Sequence, residues 1–455
     1  MSSTGVRTLG KSGKHFSNWA KTYSCTPELY FEPETTEEIR QILEFAQEKG
    51  KKVKTVGCGH SPSDLACTTD FMISLVRYNK VLKVDKDKLQ VTVQGGCQIE
   101  DLNETVLPAN GMGFSTQGTV SQLTAAGVIS TGTHGSGANF YNMSAYVVDL
   151  EIMLASGEIM RVSQTENAEL LPMVCLSLGS LGVILSITFQ CERAFNLHCK
   201  QYPNTVQNVL ENLDTYVTSC DHFRMFWYPH TDSVVCFSSN RTKEDANAKA
   251  SWFWEVLVGY HLLQILLWIS SFFPKLIPVI NRLHFSLFAN HESEKIARSD
   301  HIFNFDCLFQ QYVMEWAIPR EKTGSVILEL KQWVEKNQFP AHLPVELRFV
   351  KGDNIYLSPC YKQDSCYINI IMYRPFNKFI PHESYWTAYQ NIVAKHGGRP
   401  HWAKDHKFTG TEFQSIYPKW KEFCEARDKL DPHGMFLNSN LERVFGMKPS
   451  NSYII

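Results

Sequence analysis

Between residues 27 and 110 apolar and polar positions follow one another in short runs that predict strands and helices in alternation. A strand over Glu28 to Phe31 precedes Pro33 and Thr35-x-x-Glu38, a capping box that opens a helix. Ile39, Ile42, Leu43 and Ala46 fall on one face of that helix, and Gly50 ends it. Strands are expected at Lys52 to Val56, Met72 to Leu75, Val81 to Val84 and Leu89 to Val93, then a helix from about Gln98 to Val106. A glycine-rich run from 111 to 137 interrupts the pattern. Beyond it, "VVDLEIMLASGEIMRVS" and "LGSLGVILSITFQ" read as strands, the first folding back at a tight Ser156-Gly157 turn.

After Cys191 aromatic residues become dense, and an apolar stretch runs from Trp252 to Ile280. A bilayer span needs about 20 nearly uninterrupted apolar residues. Here Glu255, His261, Gln264 and Pro274-Lys275 intervene, so the expectation is a helix in a membrane interface or subunit contact, with a buried core helix as the competing reading.

A length of 455 residues exceeds the roughly 250 to 300 at which one core stops growing, so two domains are expected. The formal net charge of -2 gives no electrostatic footprint for nucleic acid. Thirteen cysteines without CxxC pairs exclude a zinc cluster or disulfide framework and leave buried, reduced thiols. The polar, basic N-terminus does not read as a secretory signal. Sequons at Asn103, Asn142 and Asn240 are within what chance supplies in a chain this long.

Two glycine-rich loops carry the candidate chemistry. In "VGCGHSPSD", Gly57 and Gly59 let successive amides face one concavity and bind an anion such as a pyrophosphate. The spacing is neither GxGxxG nor a Walker loop, and "GTHGSG" at Gly132 also fails the Rossmann pattern, so a nicotinamide fold is not supported. On spacing alone an ordinary strand-to-loop turn with a solvated His60 fits as well, and the second loop fits glycine used only for close packing. In "PVELRF", Glu346 and Arg348 share one strand face; spacing alone favours a plain ion pair on a half-exposed strand.

"VGCGHSPSD", "GVISTGTHGSG", "LGSLGVI", "PVELRF", "RPHWAK" and "DPHGMFLN" occur in that order, and with them the chain resembles the sugar-lactone oxidases of the vanillyl-alcohol-oxidase flavoprotein class, from about Phe16 to Phe445. The resemblance implies an α+β fold. It has a two-part FAD-binding domain of the VAO/PCMH type over 16–195, an α+β cap domain over 196–400, and a segment over 401–445 that returns to the flavin.

It also implies a single covalent bond from His60 to the flavin 8α-methyl, since no second cysteine lies between Cys97 and Cys175. Further FAD contacts carried over are Gly57, Cys58, Gly59 and Ser61, then Gly127, Thr131, Thr133 and His134, with Gly182 and Ile184 towards the adenine. Gly118 stands where related dehydrogenases carry an alanine, and loss of that methyl opens a path for dioxygen. Arg348 is expected to stabilise negative charge on the reduced flavin. Glu346 and Lys404 are expected to meet the substrate hydroxyls, and His401 and Trp402 to line the same pocket. No metal is expected.

The implied reaction is oxidation of an aldono-1,4-lactone, L-gulono-1,4-lactone above others, at C2. Hydride goes to FAD, dioxygen yields hydrogen peroxide, and the product tautomerises to ascorbate. An endoplasmic-reticulum membrane location is implied, with 252–280 supplying the attachment. Two alternatives stay open: a dehydrogenase with a haem-protein acceptor, and a non-catalytic, membrane-associated interaction protein on a flavin scaffold.

Overall fold

The computed structural model describes residues 6, 7, 9–247, 260–305 and 308–448. Strand β1 (Leu29–Phe31) leads into helix α1 (Thr36–Lys49), whose capping box forms as the spacing predicts. The Thr35 hydroxyl accepts from the Glu38 amide, Glu38 accepts from the Thr35 amide, and Gly50 closes the helix in the left-handed conformation. The buried stripe of α1 is Ile39, Ile42, Leu43, Phe45 and Ala46. With β2 (Val53–Val56) and β3 (Phe71–Ser74), β1 builds a small parallel sheet in the order β1-β3-β2.

Strands β4 (Val81–Asp85) and β5 (Gln90–Gln94) start a second sheet. The helix expected at 98–106 runs on to Ala109, with a π turn across Leu102–Val106. After α2 (Ala125–Ser130) come β6 (Val147–Met153), β7 (Ile159–Ser163) and β8 (Val183–Gln190), which complete an antiparallel sheet ordered β7-β6-β8-β5-β4. One core joins both sheets.

The larger sheet follows. Its first strands are β9 (Asn196–Thr205), β10 (His222–Trp227) and β11 (Ser233–Thr242). Helices α3 (Leu263–Ser270) and α4 (Ile277–His284) then precede β12 (Ser293–Arg298) and β13 (Gln311–Pro319). Helix α5 (Thr323–Lys336), β14 (Val345–Val350), β15 (Ser365–Tyr373), α6 (Glu383–Lys395) and β16 (Arg399–Pro400) finish it. The eight strands are antiparallel in the order β12-β9-β11-β10-β14-β15-β13-β16. Trp316, Leu347 and Ile368 point to the face covered by α5 and α6. By the period-two rule their neighbours Glu315, Glu346 and Asn369 point the other way, towards the first unit.

Helices α7 (Trp420–Leu430) and α8 (Ser439–Val444) bring the chain back to the first core, where Phe413, Trp420, Phe436 and Leu441 are buried. Val53 donates its amide to Met435 O at 2.7 Å, and Asn438 Nδ2 donates to Leu65 O and Cys67 O, both at 2.8 Å.

The apolar stretch expected over 252–280 lies partly outside the described residues, which resume at Tyr260. Its described part is two short helices broken near Pro274. Leu263, Leu267, Ile277 and Ile280 pack against the large sheet, while Ile265, Trp268, Phe272, Phe273, Val279 and Leu283 are exposed. Core helix and apolar surface are therefore two faces of one element. Among the described residues no helix is long and apolar enough to cross a membrane. All described cysteines are unpaired, most of them buried. Of the sequons, Asn103 and Asn142 are buried in hydrogen-bonded contacts; Asn240 is exposed.

Candidate active site

Strand β2 ends directly in the Gly57–Ser61 loop. A methyl on Gly57 would stand 2.0 Å from Thr124 Oγ1, so only glycine lets this loop lie against the start of α2. Thr124 is the N-cap of α2 and accepts from the Gly127 amide at 3.4 Å. Gly59 is at φ 69°, and Gly182, at φ 155°, lies so close to β6 that a methyl would meet Met153 O at 2.5 Å. Between these bare stretches and the polar face of the large sheet runs one cleft of about 1510 Å³, open solvent included.

The expected FAD contacts converge on it. Gly57, Cys58, Gly59, His60 and Ser61 line one wall, and Gly118, Gly127, Thr131, Thr133 and His134 another. Gly182 and Ile184 close one end, and Arg348, Lys404 and His401 reach in from the cap. Trp402 does not line it: its indole donates to Leu357 O at 2.6 Å and the ring stacks on Tyr417 in the core. Gly118 sits at the cleft with its would-be methyl 2.7 Å from Thr133 Cγ2.

An independent observation fits an anionic dinucleotide. Lys54 on β2 lines the same cleft, is 4% exposed, and has one recorded hydrogen bond, to Leu178 O at 3.1 Å. Among the described residues it has no ion-pair partner, and burial, against a smaller opposing pull from Asp64, brings its ammonium down to about 7. An uncompensated buried cation beside bare amides is the counterpart of a pyrophosphate.

His60 stacks on Trp19, with ring centroids 5.7 Å apart and planes 15° apart. Burial, reinforced by the Lys404 ammonium, pushes its imidazole down to about 4. At neutral pH the ring therefore keeps the unprotonated nitrogen that a bond to carbon requires.

On the sheet face the register sets the chemistry. Asn369 of β15 stands opposite Glu315 on β13 and opposite Glu346 on β14, so two carboxylates flank one amide across three adjacent strands. Arg348 donates from Nε to Glu346 Oε1 at 2.8 Å and from Nη2 to Oε2 at 2.7 Å, and it also donates to Thr119 Oγ1. The pair is both buried and part of the site, where spacing alone suggested a half-exposed strand. Arg348 lines the cleft; Glu346 lies behind the guanidinium. Carboxylate and guanidinium compensate each other's burial, and Glu346 holds the Arg348 cation up against the desolvation that would lower it.

Glu315 gathers a second group of nitrogen side chains. Its Oε1 lies 3.1 Å from His134 Nε2 and its Oε2 lies 3.8 Å from Lys404 Nζ. His401 completes the wall, and burial pushes its ring down to about 3.

Trp19, Lys54, Glu315, Asn369 and Gln311 line the cleft without having been singled out from the sequence. Gln311, Val313 and Glu315 form an i, i+2, i+4 series on β13, the same one-face spacing as Glu346 and Arg348.

The comparisons with known proteins agree with this geometry. Residues 27–163 match the FAD binding domain family, and residues 187–444 match the D-arabinono-1,4-lactone oxidase family. The chain is 49% identical to the L-gulonolactone oxidase of Scyliorhinus torazame and 47% identical to that of Bos taurus, in each case over 96% of this chain and 99% of the relative. It is 32% identical to an L-gulono-1,4-lactone dehydrogenase of Mycobacterium tuberculosis, over 95% of this chain and 99% of the relative. Among solved structures a solvent-stable cholesterol oxidase shares the fold, with a TM-score of 0.80 at 18% identity, covering 96% of this chain and 98% of the other. The split flavin-binding unit, the polar cap sheet and these likenesses together show that the chain belongs to the FAD-dependent sugar-lactone oxidase family.

Proposed function

We propose that the chain oxidises L-gulono-1,4-lactone at C2, with FAD joined covalently to His60 and dioxygen as the acceptor, and that the 2-keto lactone tautomerises to ascorbate. One observation carries this reading: the loop bearing His60 and the cap strand bearing Arg348 line a single cleft, and Lys404 lines it too, close enough for its charge to act on His60.

Bound FAD supplies the hydride acceptor and passes the electrons to dioxygen, releasing hydrogen peroxide. The residues supply the rest. The amides of Gly57 to Ser61 hold the dinucleotide, with Lys54 as its counter-charge. His60, unprotonated, provides the nitrogen for the covalent link. Arg348, fixed by Glu346, is a permanent cation that favours the negative charge hydride transfer creates. Asn369 and Lys404, both in the cleft lining, offer hydrogen bonds to the lactone hydroxyls.

We also propose attachment to the endoplasmic-reticulum membrane through the exposed apolar side of α3 and α4. The support is Trp268, Phe272, Phe273 and Val279 facing solvent beside Lys275 and Lys378.

Acid precipitation tests the covalent bond: yellow colour stays in the denatured pellet, and release of the flavin to the supernatant overturns it. Peroxide measured against lactone consumed in air tests the acceptor. Near-stoichiometric peroxide is expected, and little peroxide with turnover restored by a haem protein would assign the chain to the dehydrogenase reading that the Mycobacterium tuberculosis relative favours.

A further inference from the structure

Glu315, with His134 and His401, is buried at the active cleft and has no part in the reaction as set out above. Its carboxylate is 3% exposed, lines the cleft, and shares the face of the large sheet with Asn369 and Arg348.

The hydrogen bonds of His134 define what Glu315 does. His134 Nδ1 lies 3.0 Å from Gly135 O, and Nε2 lies 3.1 Å from Glu315 Oε1. A carbonyl and a carboxylate accept and do not donate, so both ring nitrogens must carry hydrogen for both contacts to be made. The ring is then an imidazolium, paired with a carboxylate and stacked on Tyr367 with centroids 3.5 Å apart.

Other charged and titratable groups meet there. Lys404 lies 3.8 Å from Glu315, Arg348 Nη1 lies 3.5 Å from His134 O, and His401 is 5.4 Å from His134 ring to ring. Tyr367 packs from β15 and Tyr389 from α6, both pushed up first by burial and also by the Glu315 charge. Burial alone would raise Glu315, but His134, Lys404 and His401 outweigh it and hold the carboxyl well below the usual range.

We propose that Glu315 is a positioning residue for lactone oxidation: it keeps His134 doubly protonated as a fixed positive charge and anchors Lys404, so that the Lys404 ammonium faces the substrate hydroxyls beside Arg348. The inference rests on the lactone-oxidase reading. Without the carboxylate, Nε2 would have no anion to donate to, and the second proton would lose its partner. Lys404 would lose its anchor.

Anaerobic flavin reduction by L-gulono-1,4-lactone is followed between about pH 5 and 9 in the wild-type holoenzyme, E315D and E315Q, spanning the ordinary imidazole range. Wild type and E315D are expected to show no step near neutrality. Flavin-loaded E315Q is expected to lose about tenfold in rate as pH rises through about 6.5, with weaker lactone binding. A flat E315Q profile overturns the proposal, because a merely structural carboxylate would change stability without creating a titration.

Histidine-selective nitrogen NMR of the wild-type holoenzyme gives a reading that does not depend on E315Q folding. One ring, lost in H134N, is expected to stay doubly protonated at about pH 8. A singly protonated His134 overturns the proposal, whereas a wild type that no lactone reduces overturns the reaction and leaves the NMR result to judge Glu315.

Discussion

Arg348 and Glu346, two residues apart on one strand, form a two-pronged ion pair with N···O distances of 2.8 and 2.7 Å, buried at the boundary between the cap sheet and the flavin-binding unit. The guanidinium fork fits the carboxylate and leaves Arg348 facing the cleft.

R348K keeps a charge and loses the fork. Anaerobic flavin reduction should fall by about 100-fold or more while flavin stays bound. E346A leaves the guanidinium buried without its partner and should cost about 3 to 5 kcal/mol in denaturant unfolding, more than a surface pair would. Unchanged reduction in R348K removes the residue from the chemistry.

Lys54 ties cofactor binding to pH. Its folded value, about 7, lies below that of an exposed lysine, so between about pH 7 and 10 the unfolded chain binds more protons and apoprotein stability rises with pH. K54M should abolish that rise and shrink the thermal stabilisation by added FAD. An FAD-induced shift equal to wild type would detach Lys54 from the dinucleotide.

Acid should weaken the fold before most carboxylates titrate. Burial pushes His222 and His284 to about 4 and His342 and His401 to about 3. These rings are neutral when folded and protonate on unfolding, so their contribution is complete above about pH 6.5 and is lost as pH falls towards 4. Asp353, raised to about 6 by burial, acts in the opposite direction over part of that range. Thermal melts in a buffer series should show the midpoint falling across this window, and a flat profile would contradict it.

The exposed side of α3 and α4 predicts membrane partition. Phe272 and Phe273 are 56% and 63% exposed, so replacing both with serine should release the protein into a detergent-free supernatant with little change in melting temperature. Equal sedimentation of variant and wild type with vesicles would rule this face out.

The loops were legible in the sequence because glycine marks where backbone must approach a neighbour, as at Gly57, or adopt positive φ, as at Gly59 and Gly182. Helix α1 was legible from its capping box and single apolar stripe. The eight-stranded sheet was much less so. Strands such as β15 are buried along nearly their whole length on both faces, so their sequence shows a continuous apolar run and not an alternation. Glu315 was hidden for the same reason: "VMEWAI" places one carboxylate in an apolar strand, and only the fold shows that His134, far away in sequence, closes over it. Trp19 lay in a polar N-terminal segment that carried no pattern.

The central claim is that one cleft holds FAD and brings a sugar lactone to it. Purified holoprotein should be yellow, lose its visible absorption when L-gulono-1,4-lactone is added without air, and regain it with release of hydrogen peroxide when air is admitted. A folded, flavin-loaded protein whose absorption no aldono-1,4-lactone bleaches would contradict the account.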